Sequence, residues 1–153
     1  MSILYRMKIV LFSGGVGSRM WPLSRKNSPK QFNNHVGNRS MFQLAIDRLR
    51  PEINMKDIYV STGRQYKDFI KSQNPDLPEE NIILEPQMRD VGPAVGLVAA
   101  ILAKKFPDEA VAILWSDHFV KDVAQYKKLL VSAGSYALAH PSQIATLASC
   151  SSA

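Results

Sequence analysis

Short apolar runs rich in β-branched residues alternate along this chain with segments of helical period, and that alternation restricts the fold more than any other property. The runs are Met7–Phe12 (MKIVLF), Asp57–Ser61 (DIYVS), Asn81–Leu84 (NIIL) and Ala110–Trp115 (AVAILW), with Gln143–Leu147 expected to begin a fifth. Each is short enough for a buried strand and is bounded by turn residues. Between them, Phe42, Ala45, Ile46 and Leu49 recur at i, i+3, i+4, i+7, as an amphipathic helix requires, and Pro51 stops that period. Gln65–Ser72 reads as a second helix. Pro93–Phe106 is apolar on most faces and is therefore expected to be largely buried. Val123, Tyr126, Leu130, Ala133 and Ala137 mark a fourth helix, with Asp122 as its N-cap. Strands alternating with helices predict an α/β, Rossmann-like fold: a mostly parallel sheet with helices on both faces.

Ligands of such sheets bind outside the carboxyl ends of the strands. Three turn-rich segments follow strand ends here: after Phe12, after Leu84 and after Trp115. The first runs from Ser13 to Arg39, holds Gly14, Gly15, Gly17, Pro22, Pro29 and Gly37, and shows no period, so it reads as one long loop. A loop of that length inside a compact domain is usually functional.

Composition narrows the classes of function. The chain has 153 residues, of which 46% are hydrophobic and 21% charged, which suits one folded domain. The longest mostly apolar run, Val91–Ala103, is too short to cross a bilayer and meets Lys104 and Lys105 at once, so no membrane role is expected. Met1–Lys8 has no long apolar core with a cleavage site. The single cysteine, Cys150, precludes an intrachain disulfide, and a cytoplasmic setting is expected. Asn38-Arg39-Ser40 fits a glycosylation sequon, but without a secretion signal it reads as coincidence, with Ser40 as a helix cap. The net charge of +6 could serve nucleic acid, a membrane surface or phosphorylated small molecules. Arg19, Arg25, Lys26 and Lys30 cluster beside glycines, without interleaved stacking aromatics, which argues against nucleic acid.

Four groups of residues bear on chemistry. Ser13-Gly14-Gly15-Val16-Gly17-Ser18-Arg19 follows a strand, and exposed N–H groups in such a loop bind anions. It is neither the dinucleotide fingerprint, since Met20 stands at the third glycine position, nor a P-loop. Arg19 and Lys30 share that loop, and a cationic fork with a point charge is what a triphosphate requires; solvated surface cations are the plainer reading. Asp117, in Ser116-Asp117-His118 at a strand end, suits Mg²⁺ held jointly with substrate phosphates, or merely caps a turn. Glu85-Pro86-Gln87-Met88-Arg89-Asp90 lines a pocket or caps the helix that follows, where Asp90 meets the positive end of the dipole. His118 lacks partner spacing for a metal, and Cys150 lacks a basic neighbour.

Together, Gly14–Phe32 (GGVGSRMWPLSRKNSPKQF), Glu85–Ala100 (EPQMRDVGPAVGLVAA) and Ser116–Val120 (SDHFV) resemble the sugar-nucleotide pyrophosphorylases and, within them, the mannose-1-phosphate guanylyltransferases. That family carries Arg-Asn-Thr-Ala-Pro-Ala where this chain has Arg89-Asp90-Val91-Gly92-Pro93-Ala94. The resemblance runs from about Met7 to Leu147. It implies that residues 1–147 are the nucleotide-binding part of a truncated nucleotidyltransferase domain of glycosyltransferase-A-like fold, with Ala148–Ala153 a tail foreign to the family. It implies transfer of GMP from GTP to mannose 1-phosphate with Mg²⁺, giving GDP-mannose and pyrophosphate. Gly14, Gly15, Gly17 and Ser18 would shape the loop over the phosphates, and Arg19 and Lys30 would neutralise charge. Asp117 would hold the metal, and Glu85, Pro86, Arg89 and Asp90 would face guanine and ribose. A non-catalytic nucleotide-binding module, or a related transferase using another base or sugar, is the alternative. A sheet ending after its fifth strand is expected to leave an apolar edge and to favour self-association.

Overall fold

The structure, a computed structural model, describes residues 6–14, 32, 34–36, 38–87 and 90–147. Among the described residues six strands and four α-helices run in the order β1 (Met7–Phe12), β2 (Asn34–Val36), β3 (Arg39–Ser40), α1 (Met41–Asp47), β4 (Ile58–Gly63), α2 (Lys67–Gln73), β5 (Ile82–Glu85), α3 (Val91–Lys105), β6 (Ala110–Trp115) and α4 (Val123–Ala139). β5, β4, β1 and β6 form one four-stranded sheet in that order, parallel throughout. Its parallel pairing follows the predicted α/β pattern. The chain steps outward from β1 to β4 to β5, then returns to pair β6 on the free side of β1. The reversal makes the crevice between the ends of β1 and β6 the topological switch point, where open α/β sheets bind ligands.

Alternation sorts the side chains of β1 between two cores. Met7, Ile9 and Leu11 pack with Phe42, Ala45, Ile46 and Leu49 around α1, with Ile70 of α2 and with Leu130 of α4. Val10 and Phe12 point the other way, onto Ala94, Val98 and Leu102 of α3. Every residue of β1 and β4 is buried, as a central parallel strand demands. The helical period of α1 is confirmed, since all four residues that defined it lie in the core. Ser40 closes a capping box with Gln43, which accounts for the serine of the apparent sequon. Asp122 caps α4 through a 2.9 Å bond from the Gln125 N–H.

Three expectations are corrected. α3 buries only Ala94, Val98 and Leu102, while Val91 and Ile101 are exposed. It is the one described helix on its face of the sheet, so a single stripe of it meets the strands and the small residues opposite face outward. Residues 143–147 form no strand, and Ile144 is 93% exposed; β-branched residues make a strand only against a neighbouring ladder. The predicted loop from Ser13 to Arg39 contains the short antiparallel pair β2–β3 near its end, turned at Asn38 with φ 61°, a conformation asparagine tolerates. Among the described residues no helix is long and apolar enough to cross a membrane.

At the amino ends of the strands, Lys8 is buried with its Nζ 2.6 Å from Asp57 and 3.0 Å from Glu109, and 4.4 Å from the centre of the Phe106 ring. Burial works against the Lys8 charge, but the two carboxylates outweigh it and hold its pKa above the ordinary 10.5. The group therefore stabilises the fold fully below that value, and the contribution disappears as pH rises through the raised one. Alkaline unfolding of Lys8→Met, followed by circular dichroism, should show a shallower pH dependence than the parent above pH 10.5. Asp57→Asn, which leaves the ammonium with one partner, should lose about 3 kcal/mol in urea melts. Leu102→Ala should cost about 2–5 kcal/mol in the same melts, because Leu102 of α3 is fully buried against the sheet.

Candidate functional site

Hydrogen bonds at the carboxyl edge of the sheet tie together the points where the three turn-rich segments leave it. The Ser13 N–H donates to the Ser61 carbonyl at 2.9 Å, extending the β1–β4 ladder by one residue. The Thr62 hydroxyl donates to the Ser13 carbonyl at 3.0 Å. On the other flank Ser116 donates twice to the Phe12 carbonyl, from its N–H at 3.2 Å and its hydroxyl at 2.9 Å. Ser13, Ser61, Thr62 and Ser116 are all buried, so these bonds replace water at groups that would otherwise be costly to desolvate. The consequence is a fixed exit for the glycine-rich segment at Gly14.

Its far end is also fixed. Phe32 is 5% exposed and stacks on Phe69 with ring centres 5.5 Å apart, while its edge meets Phe42, also at 5.5 Å. Its carbonyl accepts from Gln73 Nε2 at 2.9 Å. Residues 15–31, which contain Gly15, Gly17, Ser18, Arg19 and Lys30, lie outside the described residues, and so does Arg89.

Glu85 ends β5 half-buried, and its Oε1 accepts from the Ser61 hydroxyl at 3.1 Å. A Cβ built on Gly14 would stand 3.1 Å from that same oxygen, so glycine at this position lets its backbone lie close to the carboxylate. Gly14 and Glu85, assigned to the site on separate motifs, are thus brought into contact. Asp117 lies exposed one residue past Ser116, in the turn that follows β6, the strand adjacent to β1. Three strand spacings, roughly 14 Å, separate the ends of β5 and β6. Glu85 and Asp117 therefore flank the edge from opposite sides, with Gly14 between them, and do not form one carboxylate pair. Pro86 and Asp90 are exposed beyond β5. Asp90 occupies the N-cap position of α3 with φ 22° but makes no side-chain capping bond, so its predicted interaction with that helix reduces to proximity of charge.

Among the described residues no three His, Cys, Asp or Glu side chains gather as a metal cage. A single exposed carboxylate can supply one ligand to a cation that takes its other oxygens from phosphate and water, as Mg²⁺ prefers. His118 is exposed and offers its carbonyl, not its ring, to a neighbour: Arg48 Nη2 donates to that oxygen at 2.7 Å. Burial lowers the Arg48 pKa and raises that of Tyr126, whose ring centre lies 5.7 Å from the guanidinium, while each partner opposes the other's shift.

Sequence reading did not find Arg48, Ser61 or Thr62. Ser61 and Thr62 sit within or just after a run recognisable only as a strand, and Arg48 follows a helix it shares no motif with. Ser116 lies within SDHFV, where nothing in the local pattern marks its hydroxyl as a tie to β1. A cleft of about 350 Å³ lined by Lys8, Asp57, Tyr59, Lys105 and Phe106 opens at the opposite end of the strands, away from all of these residues.

Comparison with known proteins bears on the family of the chain. The chain is 37% identical over 130 residues to a mannose-1-phosphate guanylyltransferase of Salmonella montevideo, covering 84% of this chain and 27% of that protein. It is 36% identical over 126 residues to the alginate biosynthesis protein AlgA of Pseudomonas fluorescens, covering 81% of this chain and 26% of the relative. The chain thus spans about a quarter of the length of these relatives. The crystal structure of mannose-1-phosphate geranyltransferase from Thermus thermophilus superposes with a TM-score of 0.75 at 27% identity, over 86% of this chain and 38% of that one. Residues 8–147, from the buried lysine of β1 through the turn that carries Asp117 and past α4, match the nucleotidyl transferase family, and the chain belongs to it.

Proposed function

We propose that this chain forms the nucleotide-facing part of a guanylyltransferase site, which transfers GMP from GTP to mannose 1-phosphate and releases pyrophosphate. The observation that carries the reading is that Gly14 and Asp117 each lie two residues past the ends of adjacent strands, β1 and β6, at the switch point of the sheet. Two relatives with about a quarter of their length in common with this chain bear on the substrate: one is named for mannose 1-phosphate and one for alginate synthesis.

In this reading the glycine-rich segment, Gly14, Gly15, Gly17 and Ser18, lays backbone N–H groups against the nucleotide phosphates. Arg19 and Lys30 neutralise charge on the α-phosphate and on the departing pyrophosphate. Asp117 is the residue that would hold Mg²⁺, which when bound supplies charge neutralisation across the phosphates. Glu85, already held by Ser61, presents a carboxylate to N–H donors of the base, a chemistry that suits the amino edge of guanine. Pro86, Arg89 and Asp90 complete the base and ribose side. An oxygen of the sugar phosphate attacks the α-phosphorus in line, and the bond to the pyrophosphate oxygen breaks. No protein nucleophile takes part; the site positions the two phosphates and offsets their charge. A cytoplasmic setting and self-association through the open edge of β6 belong to the same proposal.

Isothermal titration of GTP with Mg²⁺ against the folded chain should give saturable binding that is weaker with ATP and dTTP. Arg19→Ala and Asp117→Ala should each weaken it about tenfold or more, and absence of binding at millimolar GTP would defeat the reading. Pyrophosphate release on adding mannose 1-phosphate separates a catalytic chain from one that binds nucleotide alone.

A further inference from the structure

The Asp117 turn is held from both sides. Before it, the N–H and hydroxyl of Ser116 converge on the Phe12 carbonyl. After it, the carbonyl of His118 accepts from Arg48 Nη2 at 2.7 Å, across 70 positions of sequence. Arg48 is the C-cap residue of α1, and α1 is fixed in the core by Phe42, Ala45 and Ile46. The same guanidinium faces the ring of Tyr126 in the first turn of α4. One side chain therefore links α1, the turn after β6 and the start of α4. A planar guanidinium suits this task because it can donate in one direction while presenting its face to a ring in another, and an ammonium cannot reproduce both contacts.

We infer that Arg48 is a positioning residue for the metal-binding carboxylate of Asp117, acting through the His118 carbonyl. The inference rests on the reading of Asp117 given above. The Ser116 bonds fix where the turn leaves the sheet, but they do not by themselves fix the peptide on the far side of Asp117. Arg48 supplies that second point and so sets the direction in which the Asp117 side chain leaves the turn. Its role is exerted through the turn, by the His118 carbonyl. Its loss should change how well the metal is held far more than how well the nucleotide is held without metal.

The test measures Mn²⁺ affinity in the presence of GTP by water-proton relaxation, alongside GTP affinity in EDTA and thermal melting. The proteins are the parent chain, Asp117→Asn, Arg48→Met and Arg48→Lys. Arg48→Met should weaken Mn²⁺ in the GTP complex by about tenfold, the usual consequence of losing a residue that orients a ligand, with metal-free GTP affinity unchanged. Arg48→Lys should fall between parent and Arg48→Met. If Asp117→Asn weakens Mn²⁺ and both Arg48 variants bind it like the parent, the inference is overturned and the role of Asp117 stands. If Asp117→Asn leaves Mn²⁺ affinity unchanged, or the parent forms no Mn²⁺–GTP complex, the reading of Asp117 itself fails and takes the inference with it. Should Arg48→Met not fold, Arg48→Lys decides: weaker Mn²⁺ at an unchanged melting temperature supports the role, and parental affinity refutes it.

Discussion

The carbonyls of Phe12 and Ser13, each held by hydroxyl donors from a neighbouring strand end, are the fixed points from which the rest of this edge is built. β1 is the central strand, buried along its whole length and flanked by β4 and β6. A central strand that simply ran into a glycine-rich loop would fray at its last ladder bonds. Here Ser116 takes the Phe12 carbonyl from one side and Thr62 takes that of Ser13 from the other. The backbone is therefore still constrained at the residue before Gly14, and the freedom of glycine begins only where close approach to Glu85 requires it.

The two ends of the sheet use charge differently. At the amino end, Lys8 is enclosed by Asp57, Glu109 and the Phe106 ring, and its charge serves the fold. A buried ion pair with both partners present is poorly suited to binding a ligand, because a ligand would have to displace one partner and leave the other uncompensated. At the carboxyl end, Asp117 is exposed on a turn whose flanking backbone is fixed, and Glu85 is held through one oxygen by Ser61. The amino end fixes the register of β1 against the loops beneath it, and the carboxyl end offers acceptors to solvent. That division follows from the parallel topology, which collects all four strand ends and their following turns on one side.

Much of this was legible in the sequence. MKIVLF and AVAILW became β1 and β6 at the stated bounds, because short β-branched runs bracketed by turn residues admit few other structures. The spacing of Phe42, Ala45, Ile46 and Leu49 specified the buried face of α1 for the same reason. The reading failed where burial depends on what lies opposite. α3 is apolar on most faces yet buries one stripe, since only one layer packs against it. Residues 143–147 were expected to start a strand but find no ladder in the described chain, and a strand exists only by pairing.

Local pattern thus determined the elements, the parallel class of the sheet and the three segments that gather at its carboxyl edge, because period and turn chemistry act over a few residues. Only the tertiary structure decided which groups meet: Glu85 close to Gly14, Ser116 on the Phe12 carbonyl, and Arg48 on the carbonyl next to Asp117. Those contacts join residues 70 to 104 positions apart, and their existence depends on strand order and helix placement, which no window of sequence contains.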